Sequence, residues 1–487
     1  MAADGTEEHV TLKLMVMKGK KKVVIAEAGK EFVDILFSFL TLPLGTIARL
    51  VREESKVEPP ELALSSLYQS VQNLDDGYLC TDTCREMLLR PRNSMEAYCR
   101  RLELNIDDTE PTEYFVCNNL ITCSYTSPVM LSTFKNENCR CGCMLAKRIS
   151  AETSYGFVKS NSRFMITDDL KVIPHSMDKI VNVLKNSGIK SLSSVNVMSV
   201  NITKNQVVDM LKCCLCSRTV LTDLFLEKLP REILHKRKKI APSDFEANDS
   251  GNKIIVKIMQ RKSNGKIVFA EGKEDFADFL FNLLTIPLGG AVHLMEGCSC
   301  VGSLDGLYNS VVDLDEDHFT TKKVKNKFVD PVLAPQFKLN SLLPLTCDYV
   351  PKYFCYVKFD NQKRHGHVSR IIEDYYLTSV LKPYDSFSER YVPVEFVDPI
   401  SYTNNNGKGY LKGPTTYMVT DDLVVTPSSS ISVMSLVSSM SIPVDDLKEK
   451  VVSIGTEEGV RILQASLSST SVLTLGLSHL TKVKEDN

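Results

Sequence analysis

The chain has 487 residues, a length that exceeds what one hydrophobic core supports and that favours two to four domains. Hydrophobic residues make up 43% of the sequence and charged residues 24%, which is the composition of an ordinary globular protein. The formal net charge of -2 gives no overall attraction to nucleic acid or to an anionic membrane.

Two further features predict a cytoplasmic or nuclear protein. The longest apolar run, at 35–44, is far shorter than the roughly 18 to 20 residues that span a bilayer. The stretch MAADGTEEHV at the N-terminus is acidic and polar, and it has no features of a secretory signal or of a basic transit peptide. We therefore expect no transmembrane segment and no secretion.

The sequence contains an internal repeat. Residues 22–45 recur at 266–289 with a shift of 244, and 13 of the 24 aligned positions are identical. Self-similarity on this scale predicts a tandem duplication. The predicted repeats cover 8–235 and 252–480, and the basic, proline-containing segment 236–251 between them is the predicted linker.

Each predicted repeat begins with a hairpin and two helices. In the first repeat, residues 10–17 alternate between apolar and polar, as a half-buried strand does, and residues 23–26 form the returning strand. Apolar residues at helical spacing follow at 30–40, and Pro43 is expected to end that helix. A second apolar stripe at 64–71 predicts the next helix.

The rest of each repeat is predicted to be a smaller α/β segment. The middle is less regular: 106–163 holds a cysteine cluster, whereas 360–415 is a polar insertion without that cluster. The TDDL sequences at 167–170 and 420–423 predict tight turns between strands, after which a helix, a strand and a helix close the repeat. The predicted fold class is therefore α+β, with two homologous repeats.

These residues resemble a known family. The block AEAGKEFVDILFSFLTLPLG, the helix LYQSVQNL, the TDDL turn and the segment TVLTDLFL are similar to the plant family catalogued as domain of unknown function 674. The similarity covers nearly the whole chain as two tandem copies. The family has no established activity, substrate or cofactor, so the resemblance implies none. Its members often carry a cysteine cluster similar to a zinc ribbon after the second helix.

The sequence has 15 cysteines, eleven of them before residue 220, and in a reducing compartment these are thiols or metal ligands. Five of them form the cluster that corresponds to the ribbon of the family: Cys117, Cys123, Cys139, Cys141 and Cys143. Zinc takes four tetrahedral ligands, and thiolates from two chain positions can join short loops, so a structural zinc ion is the candidate cofactor.

The spacing of the cluster leaves three interpretations open: a structural metal site, reduced cysteines in an eroded site, or a redox centre. The spacing departs from paired C-x-x-C motifs, and Cys139 with Cys143 is one pairing that leaves Cys141 spare. Of the five clustered cysteines, the second repeat keeps only one counterpart, Cys355, which aligns with Cys117. The cysteines at 213, 214 and 216 lie on an apolar helix and are expected to be buried small side chains.

Several carboxylates recur in both repeats. Glu27 and Asp34 match Glu271 and Asp278, and such a pair could act as acid and base, although no histidine recurs with it. Placement beside a helix N-terminus is the structural alternative. The paired aspartates at 168–169 and 421–422 could bind a divalent cation, but they lack further oxygen ligands, so turn formation is the expected role.

Basic and histidine-containing segments offer weaker candidates. The lysines at 18–22 are expected to lie in a hairpin turn, and HKRKK at 235–239 resembles a nuclear-localisation or polyanion-binding patch within the linker. His365 and His367 form an H-x-H pair, expected to be solvated, with a replacement metal site as the alternative. Motifs of nucleotide-binding, hydrolase and kinase families do not occur in the sequence.

The recurring residues form cores and turns, whereas the repeats differ mainly in their middle segments, where binding specificity usually resides. We therefore predict a non-enzymatic interaction or scaffold protein with a protein partner and without membrane binding. One alternative is an enzyme that uses the recurring carboxylates in a cleft between repeats. Another is a nucleic-acid-associated zinc protein, although the sequence has no interleaved aromatic residues on which bases could stack.

Overall fold

The computed structural model describes the following residues: 9–53, 62–120, 123, 128–135, 137–151, 154–226, 253–299, 301–334, 342–345, 354–364, 367–378, 389–397 and 409–481. We call 9–226 the first half and 253–481 the second half. The predicted linker at 236–251 lies outside the described residues. The boundaries of the predicted repeats therefore stay predictions.

The elements of the first half, in chain order, are β1 (Val10–Met17), β2 (Lys22–Ala28), α1 (Lys30–Thr41), α2 (Leu44–Glu53), α3 (Ala63–Asn73), α4 (Asp82–Leu89), α5 (Glu96–Cys99), β3 (Tyr114–Cys117), β4 (Val129–Ser132), β5 (Glu137–Asn138), β6 (Met144–Ala151), β7 (Phe164–Thr167), β8 (Val172–Pro174), α6 (Met177–Asn186), β9 (Val195–Ile202), α7 (Lys204–Cys216) and α8 (Val220–Phe225).

Those of the second half are β10 (Ile254–Arg261), β11 (Ile267–Gly272), α9 (Glu274–Asn282), α10 (Leu288–Leu294), α11 (Leu304–Asp313), α12 (Lys322–Val329), β12 (Phe354–Arg364), β13 (His367–Thr378), β14 (Glu389–Phe396), β15 (Tyr417–Thr420), β16 (Val425–Pro427), α13 (Ser430–Ser439), β17 (Leu447–Ile454), α14 (Thr456–Ser468), α15 (Val472–Gly476) and α16 (Ser478–Thr481).

Each half contains a five-stranded sheet. The strand order is β8-β7-β2-β1-β9 in the first half and β16-β15-β11-β10-β17 in the second half. In both sheets the hairpin carries a bulge at the matching place, after Met15 in β1 and after Met259 in β10. The predicted α+β fold class is confirmed. The alternation that predicted β1 is also observed, since Leu12 and Leu14 are buried while Lys13 is exposed.

The helix α1 is buried on more than one side. Phe37 lies off the main stripe of this helix, and it is fully buried. Its ring lies 6.2 Å from that of Phe319 and 5.9 Å from that of Phe328, centroid to centroid, and both of these residues belong to the second half. One continuous apolar core therefore includes residues of both halves.

The sequence did not predict the helix α2. Pro43 was expected to end the first helix, and α1 does end before it, at Thr41, but a further helix, α2, begins directly after the proline. Proline is compatible with the start of a helix, because its fixed φ suits the first turn and the missing N–H needs no partner there. The same arrangement occurs after Pro287 in the second half. Among the described residues, five helices (α1–α5) therefore follow the hairpin of the first half and four (α9–α12) follow that of the second half, where two were predicted in each.

Backbone hydrogen bonds join the segment around Pro43 to the segment around Pro287. The amide of Leu44 donates to the carbonyl of Ile286 over 2.9 Å, and the amide of Leu288 donates to the carbonyl of Leu42 over 2.9 Å. Each half donates one of these hydrogen bonds and accepts the other, an arrangement that is typical of an isologous interface. The halves therefore pack face to face instead of lying apart along the chain.

A third sheet is built from strands of both halves. Its order is β13-β12-β14-β4-β3-β6-β5, and β13 also pairs with β6. Six strands, three from each half, therefore close into a ring. The two seams between the halves are parallel pairings, β4 with β14 and β6 with β13. The apolar side chains of this barrel form a separate cluster of buried residues: Val116, Leu120, Val129, Leu131, Ile149, Cys355, Leu377 and Val392.

A buried aspartate on the first long helix holds the chain as it leaves the barrel. Asp34 is 1% exposed, and its Oδ1 accepts hydrogen bonds from the amides of Phe157 at 2.8 Å and Val158 at 3.0 Å. Its other oxygen contacts the ammonium group of Lys30. Gly156, which has a φ of +63°, lies against this carboxylate, and a Cβ atom there would overlap it.

We expect Gly156→Ala to destabilise the protein more than Gly188→Ala. Both glycines have a positive φ, +63° and +74°, so alanine is strained by roughly 1–2 kcal/mol at either position. A Cβ at 188 meets no atom within 4 Å, whereas one at 156 overlaps Asp34. This overlap should cost roughly a further 1–3 kcal/mol of unfolding free energy in urea titrations. Equal losses in the two variants would contradict the role of this contact.

Candidate metal centre

Four cysteines meet at one end of the barrel. Cys117 is the last residue of β3, and Cys123 follows it in the chain. Cys139 and Cys141 lie between β5 and β6, where the chain turns back on itself. Two backbone hydrogen bonds close this turn, from the amide of Gly142 to the carbonyl of Cys139 at 2.9 Å and from the amide of Cys139 to the carbonyl of Cys143 at 2.8 Å. Gly142 has a φ of +82°, which favours glycine.

The four sulfur atoms have the spacing of a tetrahedral site. All of them lie within 4.8 Å of one another. The Sγ of Cys117 lies 3.4 Å from that of Cys141 and 3.6 Å from that of Cys123, and the Sγ of Cys123 lies 3.8 Å from that of Cys139. Zinc–sulfur bonds of about 2.3 Å in a tetrahedron place the sulfurs about 3.8 Å apart. The donor set therefore fits a zinc ion in both chemistry and geometry.

Cys143 does not belong to this group of sulfurs, although it is among the five candidates that the sequence predicts. The sequence also allows a pairing of Cys139 with Cys143 that leaves Cys141 spare. In the structure Cys141 is the residue that joins the group, and Cys143 packs partly buried against it. The sequence could not decide between Cys141 and Cys143, because each of them is close enough along the chain to pair with Cys139. Whether these residues bind a metal stays a prediction.

Backbone amides and burial give the sulfurs different proton affinities. The amide of Cys143 and the neighbouring thiols donate to the exposed Cys141, which lowers the pKa of Cys141 to about 6. Burial raises the pKa of Cys123 to about 12, and it also raises the pKa of Cys117. The amide of Asn119 donates to the Sγ of Cys117 over 3.3 Å. Amide donors of this kind orient thiolate ligands and support their charge around a metal ion.

The second half contributes to the surroundings of the sulfurs. Val397, from the end of β14, is buried in the same cluster as Phe115, Met130 and Leu145. Its amide donates to the carbonyl of Leu131, in β4, over 2.7 Å. The sulfur cluster thus lies under a seam between the halves. No local sequence pattern indicates this seam, because the contacting residues are more than 250 positions apart.

The recurring carboxylates are occupied by the protein itself. Glu27 accepts from Arg163 at 3.1 Å, and Glu271 accepts from Ser428 at 2.6 Å. Asp278 repeats the arrangement of Asp34, since its Oδ1 accepts from the amides of Tyr410 at 2.9 Å and Leu411 at 3.1 Å. These contacts give Asp34 and Asp278 the role of fixing the chain beside the barrel.

The two aspartates differ in their charged neighbours. Burial raises the pKa of Asp34, but hydrogen bonding and the charge of Lys30 oppose that rise. Burial raises the pKa of Asp278 to about 8, and the nearby carboxylates of Glu274 and Asp275 add to the rise. The surroundings of Asp278 therefore favour its neutral form more than those of Asp34 do. This difference is visible in the sequence, because Glu274 occupies the position that matches Lys30.

The paired aspartates form turns, as expected, and they also bind the helices that follow. Thr167 donates to Asp169 within the turn over 2.5 Å. Asp168 accepts from the amide and from the hydroxyl of Thr222, in α8, at 2.8 Å each. Burial raises the pKa of Asp168 to about 6. Asp421 does the same for α15 in the second half.

A cavity of about 870 Å³ lies between the halves. Arg52 of α2 and residues of α3 line one side of it, and Arg261, Lys266 and Asp421 line the other side. The carboxylate of Asp421 is occupied by the amide and hydroxyl groups of α15. Neither Asp34 nor Asp278 lines this cavity.

The other candidates give no site among the described residues. His365 and the basic segment 235–239 lie outside them. The hairpin lysines at 18–22 are exposed, and Lys18 donates to the carbonyl of Ser193 over 2.7 Å. In the helix α7 Cys213 and Cys214 are buried and Cys216 is half-buried, as expected for small apolar side chains.

We expect Asp278→Asn to remove a pH dependence of stability. Between its unfolded value near 3.8 and its folded value of about 8, wild-type Asp278 is protonated only in the native state. The native state then binds one more proton, so the free energy of unfolding falls by about 1.4 kcal/mol per pH unit as the pH rises. The asparagine of the variant keeps an oxygen for both amides but cannot ionise. The free energy of unfolding of the variant should therefore fall less steeply as the pH rises.

Urea unfolding at several pH values between 4 and 8 measures this difference between wild type and variant. Asp317→Asn, at an exposed position in the second half, is the control variant and should follow the wild type. Parallel pH profiles for the wild type and Asp278→Asn would show that Asp278 is ionised at neutral pH.

Comparison with known proteins supports one assignment. No curated protein and no solved structure matches the chain. None of the described helices combines the length and the hydrophobicity needed to cross a bilayer. The model of a protein family of unknown function, DUF674, matches residues 6–457. Since this match spans most of the sequence, the chain belongs to the DUF674 family.

Proposed function

We propose that this protein is a non-enzymatic interaction scaffold in which a structural zinc ion, bound by Cys117, Cys123, Cys139 and Cys141, fixes one end of the barrel that joins the two halves. The single observation that carries this proposal is the set of sulfur–sulfur distances of 3.4, 3.6 and 3.8 Å. Four thiolates fill the coordination of zinc and leave no position for a substrate, so such an ion is structural.

The positions of the cysteines explain what the ion would stabilise. Cys117 is at the end of one barrel strand, and Cys139 and Cys141 lie in the turn that leads into another, β6. The barrel has a small apolar interior, with eight buried side chains in its cluster. A metal ion adds stability where a small domain cannot bury enough apolar surface.

The occupied carboxylates favour this role over the enzyme alternative. Asp34 and Asp278 each accept two backbone amides, and neither lines the cavity between the halves. A general base needs a free oxygen within reach of a substrate.

The charges beside the sulfurs give the nucleic-acid alternative little support. Arg140 pairs with Glu395 at 2.7 Å, and Arg148 pairs with Glu113. Phosphate binding relies on cations that are available to the backbone of the nucleic acid.

Other parts of the proposal concern origin and cellular location. The equal strand orders of the two sheets support an origin by tandem duplication. None of the described cysteines forms a disulfide, which supports a reducing compartment such as the cytoplasm or the nucleus. A protein partner is the expected ligand of the scaffold.

We expect about one zinc ion per chain in the purified wild type, and less than a tenth of that in Cys141→Ser, because three thiolates bind zinc far more weakly than four. Cys143→Ser is the matched control, since this neighbouring sulfur lies outside the group, and it should keep its zinc. Elemental analysis gives the metal content, and thermal unfolding gives the stability that depends on it.

The outcomes separate the interpretations. Loss of zinc and of stability in Cys141→Ser alone supports the proposed set of ligands. Equal loss in Cys143→Ser would assign the site to a different set of cysteines. Wild-type protein without metal, even after refolding with zinc under reducing conditions, would refute the zinc site.

A further inference from the structure

The strand β9 is an open edge of the sheet in the first half. It pairs with β1 on one side along all eight of its residues, without a bulge. No described strand pairs with its other side. The backbone amides and carbonyls along that side are therefore available for another strand, as at the edge of any open sheet.

This edge lacks the features that usually block strand addition. Proteins protect exposed edges with charged residues, proline, bulges or very short strands. The sequence of β9, VNVMSVNI, has eight residues, no charge and no proline. Val197 is 68% exposed and Met198 is 38% exposed, so apolar side chains accompany the open backbone.

The matching edge of the other sheet is protected. The strand β17 occupies the corresponding outer position in the second half, next to β10. It carries Lys448, Glu449 and Lys450 in succession, and Glu449 also pairs with Lys257 at 3.3 Å. The two halves have the same sheet order, so the contrast between their edges lies in the side chains alone.

Charge indicates which partner fits the edge of β9. Two copies of a strand that pair across a two-fold axis run antiparallel and place one residue opposite itself. If the two-fold axis passed through Glu449 of β17, Glu449 would lie opposite its own copy and Lys448 would lie opposite Lys450 of the other molecule. Like charges would then repel each other. The strand β9 has no charged residue, so no register of this pairing brings like charges together. With the two-fold axis at Met198, for example, Val197 lies opposite Ser199 of the other molecule.

We propose that β9 is the interface for a second copy of this chain, and that two molecules join their first-half sheets edge to edge through antiparallel β9 strands. The product is a two-fold dimer with a continuous ten-stranded sheet, and β17 stays at the outer edge of each molecule's second sheet. This inference goes beyond the proposed scaffold role and does not depend on zinc, because the sulfur cluster belongs to the barrel.

Sedimentation equilibrium of the full chain tests the proposal. Over a series from low to high micromolar protein, we expect the mass to rise from 54.5 kDa toward twice that value. Val197→Lys places a charge in the exposed centre of β9 and should weaken the dimer by at least about tenfold in dissociation constant. Val451→Lys is the matched control, since Val451 is 60% exposed on β17, and it should dimerise like the wild type.

Hydrogen exchange identifies the contact independently of any variant. Amides of residues 195–202 should exchange more slowly as the concentration of wild-type protein increases, whereas those of 447–454 should not change. A wild type that stays monomeric would overturn the proposal. So would a dimer that Val197→Lys does not weaken, one that both lysine variants weaken equally, or one without slower exchange at β9. Retained thermal stability of Val197→Lys shows that a lost dimer is not a lost fold.

Discussion

The pairing of strands from opposite halves is the constraint on which the rest of the structure depends. The barrel closes only when β4 meets β14 and β6 meets β13, and both meetings are short, with three paired residues in one and two in the other. Short parallel seams need support from outside the ladder. Asp34 and Asp278 provide it by holding the chain where it leaves the barrel, and the sulfur cluster with Val397 provides it beside the β4 seam.

The local elements could be predicted from the sequence because local patterns determine them. The alternation of residues 10–17, the apolar stripe of α1 and the turns around Asp168 and Asp421 all depend on neighbours a few positions away. The barrel could not be predicted in this way. Two of its first-half strands, β3 and β4, have only four residues, and the partners of β4 and β6 at the seams lie in the other half, so no local pattern indicates the pairing. The helix α2 was missed for a different reason, since Pro43 is compatible with both a stop and a start.

The candidate centre was predicted in part. The sequence identified the cysteines, because thiols at two nearby chain positions are typical of metal sites. It could not choose four of the five, because the choice depends on the turn that Gly142 makes between β5 and β6. The recurring carboxylates show the opposite limit. Their recurrence suggested chemistry, whereas in the structure Asp34 and Asp278 each accept two backbone amides. Glu27 and Glu271 accept from the side chains of other residues.

The distribution of the barrel strands along the chain also bears on the order of synthesis and folding. The first three barrel strands, together with all four clustered cysteines, are complete by residue 151, whereas their partners begin at residue 354. During synthesis the ribosome must therefore add about two hundred residues while one side of β4 and one side of β6 remain without their final neighbours. In that interval the pairing of β3 with β4 and β6 and the clustered cysteines are contacts within this segment that do not wait for the second half. A nascent first half that collects its metal early would thus reach the second half with its strands already aligned.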